Sequence, residues 1–183
     1  IFTLPEGYRP EYTISIPTVV DNEIGYFFVY PNGEVRNGLG RQNVVDSFIY
    51  LRGTFSAKDV TWQTATNLQN GWQNSNPSIR GNLRYRKDKN GVVHIEGVIV
   101  SGTNNQTVFT LPAGYRPKRA TQQRVVYWNG SVFVDANLII YTNGDVVITR
   151  ITNTSLEVAI AGIRFISEDI DDNQLHEIRD FQN

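Results

Sequence analysis

Apolar and polar residues alternate with a period of two along most of this chain. Near its start, Ile14 and Ile16 alternate with polar neighbours, which is typical of a strand with one buried face. A helical period occurs only in the tail, where Leu175, Ile178 and Phe181 recur every three residues. The pattern predicts an all-β protein with a short polar tail that can form a helix. The predicted strands cover residues 11–20, 24–30, 34–36, 47–55, 83–88, 92–100, 124–127, 132–141, 146–151 and 156–165.

The turns between these strands predict how the strands pair. Asn32-Gly33 and Asn143-Gly144 each lie between two apolar runs, and Asn-Gly is the strongest short signal for a β-hairpin. About seven strands are predicted per unit, with a turn signal every 8–12 residues, as in sandwiches and barrels. We therefore predict antiparallel β-sandwich or barrel modules.

The chain also contains an internal repeat. Residues 108–117, VFTLPAGYRP, match residues 1–10, IFTLPEGYRP, at eight of ten positions. The offset between the copies is 107 residues here and 111 at the Asn-Gly hairpins, so the length difference falls in a loop, where insertions are tolerated. A repeat of about 110 residues has the size of a small β domain rather than of a solenoid unit. Because this decapeptide recurs within a fixed order of strands, we interpret it as a folding device.

The repeat predicts two tandem β modules, of which the first is truncated. Residues 1–59 are predicted to be the C-terminal half of a first module, residues 60–169 a complete second module, and residues 170–183 a polar tail. A few strands with one apolar face do not readily fold alone. The half module therefore either pairs with strands of the complete module or has its other half elsewhere in a longer polypeptide.

Composition and charge exclude several classes of function. Lys+Arg 17 against Asp+Glu 18 gives a net charge of -1, so no global field favours nucleic acid or an anionic membrane. No apolar run approaches the roughly 20 residues of a membrane span, so we expect no membrane insertion. The chain has no cysteine, two histidines and no nucleophile or phosphate-binding motif, which predicts no enzyme activity and no cofactor. The acidic run of residues 168–172 is interpreted as a solvated linker rather than a cation site.

Aromatic residues beside amides predict a binding function instead. Sugars place their C–H faces on aromatic rings and their hydroxyls on planar amides and carboxylates. For Trp72, core packing is the stronger interpretation, because tryptophan is seldom wholly exposed. Trp128 differs, because it lies beside a turn and has no equivalent in the first copy. The predicted ligand-binding residues are Trp128, Tyr127, Asn129, Asp135, Trp72 and Tyr85.

Several motifs in a fixed order resemble one family of proteins. They are NGW at residues 70–72, YRKD and GVVHIEG within residues 85–97, FTLPAGYRP at residues 109–117 and NGDV at residues 143–146. They resemble modules of receptor-binding and tail-fibre proteins from tailed phages that infect Gram-positive bacteria. The resemblance implies a homotrimer at the virion tail tip, associated with other tail or baseplate proteins, whose ligand is a bacterial cell-wall polysaccharide or teichoic acid. Similar modules occur in structural tail proteins, and no binding residue of the family transfers to a position here.

Three functions are compatible with these patterns. The first is a phage adhesin module that binds a bacterial cell-wall glycan such as teichoic acid without enzyme activity. The second is a structural spacer or trimerisation module of a tail fibre, with no ligand. The third is an accessory carbohydrate-binding domain of a secreted glycan-degrading enzyme. The order of the motifs favours the first.

Overall fold

Nearly all of the regular structure in the described residues is antiparallel β-strand, which confirms the predicted all-β class. The structure is a computed structural model that describes residues 2–20, 23–37, 49–50, 61–152 and 157–170. The described strands form two separate sheets. The predicted helix of the tail and most of the predicted strand at 47–55 lie outside the described residues.

The first sheet contains the strands of the truncated copy. Its spatial order is β1-β4-β3-β2-β5, and all of its pairs are antiparallel. Ile14, Phe27 and Val29 are buried on one face of this sheet, as the period of two predicts. The strands are β1 (Phe2–Thr3), β2 (Ile14–Val20), β3 (Glu23–Val29), β4 (Glu34–Asn37) and β5 (Ile49–Tyr50).

The second sheet is a half-barrel around the main core. Its order is β10-β13-β12-β11-β14-β9-β8-β6, and β7 pairs with β9. A short helix, α1 (Pro77–Arg80), lies in a segment where the sequence pattern predicts no element, because four residues are too short to show a helical period. The strands are β6 (Gln63–Thr64), β7 (Gln73–Asn74), β8 (Arg84–Lys87), β9 (Val92–Val100), β10 (Thr107–Thr110), β11 (Thr121–Trp128), β12 (Phe133–Ile140), β13 (Asp145–Thr149) and β14 (Val158–Ile166).

The internal repeat recurs in the register of the strands. Phe2 lies opposite Val35 in the first sheet, as Phe109 lies opposite Val146 in the second. The strand order β1-β4-β3-β2-β5 likewise corresponds to β10-β13-β12-β11-β14. In the second sheet, β9, β8 and β6 continue beyond β14. The first sheet is therefore built like one half of the second.

The same contacts fix the repeated decapeptide in both copies. The Nε atom of Arg116 donates to the carbonyl oxygen of Leu111 at 3.0 Å, and the corresponding bond in the first copy measures 3.1 Å. A Cβ atom at Gly144 would lie 2.4 Å from that carbonyl oxygen, and one at Gly33 would lie 2.6 Å from its counterpart. Both glycines also have positive φ, which L side chains rarely adopt. The decapeptide and the Asn-Gly hairpin therefore fold as one device.

The extra length of the second copy lies in a single hairpin. In the first sheet, Val20 of β2 pairs with Glu23 of β3, so two residues separate the partners. The corresponding pair in the second sheet is Tyr127 with Val134, and six residues separate them. The difference of four equals the growth of the offset from 107 to 111. We call residues 128–133 the hairpin extension.

The two sheets are linked in the described part of the chain by side-chain contacts and by one backbone hydrogen bond, from the amide of Thr13 to the carbonyl oxygen of Ile79 at 3.3 Å. Ala161 of β14 packs against the core of the first sheet. Arg84 of β8 donates from Nη1 to Glu11 at 2.6 Å, and from Nε and Nη2 to Oε1 of Glu96 at 3.0 and 2.7 Å. Its guanidinium also lies over the ring of Tyr12 at 5.2 Å. The first sheet therefore packs on the second through these contacts, and among the described residues no strand of one sheet pairs with a strand of the other; the division into a half module and a complete module stays a prediction.

Candidate functional site

The hairpin extension presents two aromatic rings next to each other. Trp128 ends β11 and Phe133 begins β12; they are directly opposite in the ladder, with ring centroids 4.9 Å apart. Both side chains are half-buried, so part of each ring remains accessible. At the tip, Oδ1 of Asn129 accepts hydrogen bonds from the amides of Ser131 and Val132, both at 2.9 Å. These bonds fix the turn and hold the two rings at the end of a rigid hairpin.

Charged side chains lie beside the rings on the same face of the sheet. Paired residues point to the same face, and side chains alternate along a strand. Asp135 pairs with Val126, so it shares the face of Trp128, and its carboxylate accepts a hydrogen bond from Arg124. Arg124 is largely exposed, whereas Asp135 is half-buried. An aromatic surface flanked by a carboxylate and a guanidinium offers both of the contacts that a sugar uses.

Glu157 completes this surface on the other side and was not predicted from the sequence. The amide of Trp128 donates to the carbonyl oxygen of Glu157 at 2.9 Å, which places the two residues side by side. The Glu157 carboxylate accepts from Ser75 Oγ at 2.5 Å and from Arg80 Nη2 at 3.4 Å. Its side chain remains 38% exposed, although each of its two oxygens already accepts one hydrogen bond. Glu157 is separated from Trp128 in the sequence, and only the register of β11 with β14 brings them together.

Arg80 connects this surface to the first sheet. Its Nη1 atom donates to Oγ of Ser15 at 3.3 Å, and its guanidinium lies over the ring of Phe28 at 5.5 Å. It also contacts Glu157, which adjoins Trp128. The truncated copy therefore helps to hold one edge of the candidate site.

Three of the predicted ligand-binding residues lie in the core instead of at the surface. Tyr127 is buried, and its hydroxyl is within 3.0 Å of Oγ1 of Thr152. Trp72 packs its ring against Gly102, as the stronger interpretation for this residue predicts. Tyr85 is buried in the same core, because even positions of β8 face the first sheet and odd positions face inward. The structure brings together Trp128, Asn129 and Asp135, and the ligand-binding role of all six residues stays a prediction.

The acidic run after β14 is attached to the second decapeptide. The carboxylate of Glu168 accepts from the amide of Gly114 at 2.8 Å, and Asp169 pairs with Nζ of Lys87 at 2.5 Å. The hydrogen bond from Lys87 lowers the pKa of Asp169 below its ordinary value. Glu168 is half-buried and Asp169 is exposed, so the run is in contact with solvent although both carboxylates have partners. Its interpretation as a solvated linker stays a prediction, and residues 171 and 172 lie outside the described part.

The described residues contain neither a cluster suited to a metal ion nor a helix suited to a membrane. Among the residues that the structure describes, no three carboxylate or imidazole side chains come together in a way that could hold a metal ion. In that part of the chain, no helix has the length and apolar character needed to cross a membrane. The surface around the hairpin extension is thus the candidate site that the geometry favours.

Comparison with known proteins finds a similar solved structure. No family model and no curated protein matches this chain. The crystal structure of the receptor binding protein (gp15) of Listeria phage PSA is similar, with a TM-score of 0.48 and 20% sequence identity. The similarity covers 60% of this chain and 67% of that chain. A similarity this weak carries no conclusion about the function of this chain.

Proposed function

We propose that this chain is a receptor-binding module of a phage tail that attaches to a cell-wall glycan of a Gram-positive host. The observation that carries the proposal is the hairpin extension, which adds Trp128 and Phe133 to a scaffold that folds in the first copy without them. A segment that the fold does not need, and that presents aromatic rings, is best explained by binding. The order of the sequence motifs supports the phage context.

The chemistry of the proposed surface suits a sugar. The ring of Trp128 provides an apolar platform for the C–H face of a pyranose. The carboxylates of Glu157 and Asp135 accept hydrogen bonds from hydroxyls, and the exposed guanidinium of Arg124 donates to hydroxyl or phosphate oxygens. Teichoic acids combine sugars with phosphate, so this set of groups fits such a polymer. The ligand is bound at the surface without covalent change, and the module acts as an adhesin.

The binding surface can be removed without changing the scaffold. We expect that replacing residues 128–133 by Asp-Asn, the turn of the first copy, preserves the fold and abolishes binding to purified host cell walls. Trp128→Ala should weaken binding about 5- to 30-fold, the factor that corresponds to about 1–2 kcal/mol. Tyr141→Ala is the matched control, because Tyr141 is an exposed aromatic residue of the neighbouring β12–β13 turn. Circular dichroism verifies that each variant is folded.

A pull-down on walls before and after teichoic acid removal identifies the polymer. Loss of binding on removal supports teichoic acid as the receptor. Binding that is unchanged by both removal and the shortened hairpin would refute this site. If the folded protein binds no host wall at all, the chain is a spacer rather than an adhesin. Release of reducing ends from the wall would instead indicate a part of a glycan-degrading enzyme.

We further propose that the module acts as a homotrimer associated with other tail or baseplate proteins. The support is the motif resemblance together with the shallow form of the surface, since single shallow sites bind sugars weakly. Three sites on one rigid axis raise the avidity without any new contact. Light scattering at micromolar concentration should give three times the mass of one chain, and a monomer would count against the trimer.

A further inference from the structure

The first copy of the decapeptide exposes a surface that is covered in the second copy. We propose that this surface, formed by Phe2, Leu4, Gly7 and Tyr8, docks a polypeptide half-unit of the same kind as residues 61–103. The proposal is independent of the sugar-binding function, because it concerns the opposite end of the repeat from the hairpin extension. The support for it is the difference in exposure between the two copies of the decapeptide.

The second copy shows what such a half-unit contacts. The ring of Tyr85 lies 6.1 Å from that of Phe109 and 5.1 Å from that of Tyr115. Nε2 of Gln63 donates to the hydroxyl of Tyr115 at 2.6 Å, and Nζ of Lys87 lies 5.3 Å from the centre of the same ring. These contacts bury Phe109 and half-bury Tyr115.

Backbone groups of the second decapeptide are covered in the same way. The carbonyl oxygen of Val108 accepts from the amide of Gln69 at 2.8 Å, and Nζ of Lys87 donates to the carbonyl oxygen of Gly114 at 2.8 Å. Nε2 of Gln69 also donates to the hydroxyl of Thr110 at 3.2 Å. The half-unit therefore recognises both the side chains and the backbone of the decapeptide.

The first copy carries the same groups without this cover. Phe2 is 48% exposed where Phe109 is 2% exposed, and Tyr8 is 68% exposed. A Cβ atom placed on Gly7 would meet nothing within 4 Å, whereas one on Gly114 would meet Lys87 at 3.8 Å. Exposed aromatic rings at a sheet edge are typical of an interface.

The identity of the occupant follows from the conserved chemistry of the repeat. Phe2, Thr3, Gly7 and Tyr8 are identical to four of the five residues that the half-unit contacts in the second copy. The fifth, Val108, corresponds to Ile1 and is contacted through its carbonyl oxygen. The register of β1 on β4 also matches that of β10 on β13 at Phe2. A partner for this surface therefore needs a tyrosine, a glutamine and a lysine placed like those of residues 61–103.

The experiment adds a second copy of the half-unit to the full chain. Residues 61–107 are duplicated and joined directly ahead of Ile1, which reproduces the order found in the second copy. Hydrogen exchange of the amides in residues 2–10 should then slow by at least about tenfold, because they become part of a larger cooperative unit. The added segment itself should be protected from exchange.

Two variants make the result specific. Phe2→Ser together with Tyr8→Ser should remove the protection in the extended chain, yet leave the exchange of the original chain nearly unchanged, because both side chains are exposed there. Tyr85→Ala within the added segment alone should have the same effect as the double change. Fast exchange throughout residues 2–10 and the added segment would overturn the proposal. So would protection that survives both sets of substitutions.

Discussion

The contact between the sheets predicts unequal effects of two similar substitutions. Arg84 forms charged hydrogen bonds to both Glu96 and Glu11, but the side chain of Glu96 is 6% exposed and that of Glu11 is 39% exposed. Glu96→Gln and Glu11→Gln each remove one negative charge and preserve the shape of the side chain. The comparison therefore isolates the effect of burial on an ion pair.

The expected magnitudes follow from the geometry. Oε1 of Glu96 accepts two bonds from Arg84, at 3.0 and 2.7 Å, and a charged hydrogen bond is worth about 1 kcal/mol more than a neutral one. Two such bonds, together with the guanidinium charge left in a buried place, give a loss of about 3 kcal/mol for Glu96→Gln. Arg84 is buried, but the Glu11 side chain is 39% exposed and solvent screens its charge. This ion pair therefore contributes about 0.2–1 kcal/mol, and the loss for Glu11→Gln should lie within that range.

Urea unfolding followed by far-ultraviolet circular dichroism measures both values. The double variant should show that the two losses are not additive, because both carboxylates contact one guanidinium. If Glu11→Gln destabilises the protein as much as Glu96→Gln does, the assignment of Glu96 as the buried partner is refuted. Raised salt should reduce only the smaller of the two effects.

Two further predictions test the Asn-Gly hairpin of the second copy and the pair formed by His94 and Asp88. Gly144→Ala should lower the free energy of unfolding by more than about 1 kcal/mol, because the added Cβ atom would lie 2.4 Å from the Leu111 carbonyl oxygen at a residue with positive φ. Urea titration measures this loss of stability. A loss near zero would contradict the prediction. Burial lowers the pKa of His94 below 6.5, although its bond to Asp88 opposes the shift. Because the unfolded chain then binds the proton more readily, stability should fall as the pH drops below 6.5. His94→Gln should reduce this fall in a pH series of unfolding curves, and an identical series would refute the role of His94.

Local turn chemistry made the strand pairing predictable from the sequence. Gly33 and Gly144 follow asparagine between apolar runs, and the structure confirms a hairpin at each place. The repeat predicted that the two copies are built alike, because the decapeptides match at eight of ten positions and form the same hydrogen bond from arginine to the leucine carbonyl oxygen. The short helix α1 could not be predicted, since Pro77–Arg80 covers little more than one turn.

Burial on both faces of a sheet was not predictable. Val98 and Ala159 lie outside the main core but are buried, and they line a small cavity together with Ile14 of the first sheet. An alternating pattern identifies one apolar face per strand, and it carries no information about a second sheet packed on the other face. Glu96 illustrates the same limit, because its buried charge is accommodated only by a partner on a neighbouring strand.

The candidate site was predictable only in part for a related reason. Trp128 stood out because the first copy has no counterpart for it, and the structure places it at a half-exposed position. Tyr127 adjoins it in the sequence, but alternation along β11 turns it into the core. Glu157 could be assigned to the site only from the pairing of β11 with β14, which the sequence spacing does not specify. A site assembled across strands is therefore recognised from the register rather than from neighbouring residues.

The joining of the sheets chiefly by side chains has a mechanical consequence. When a force pulls along the strands of a sheet, many backbone hydrogen bonds must break at the same time. Contacts between packed side chains instead break one after another. Under a pulling force, the contact around Arg84 should therefore slip before β2 or β14 leaves its own sheet. The first sheet would then move relative to the second under force. The second sheet would stay folded, and the hairpin extension would keep its structure.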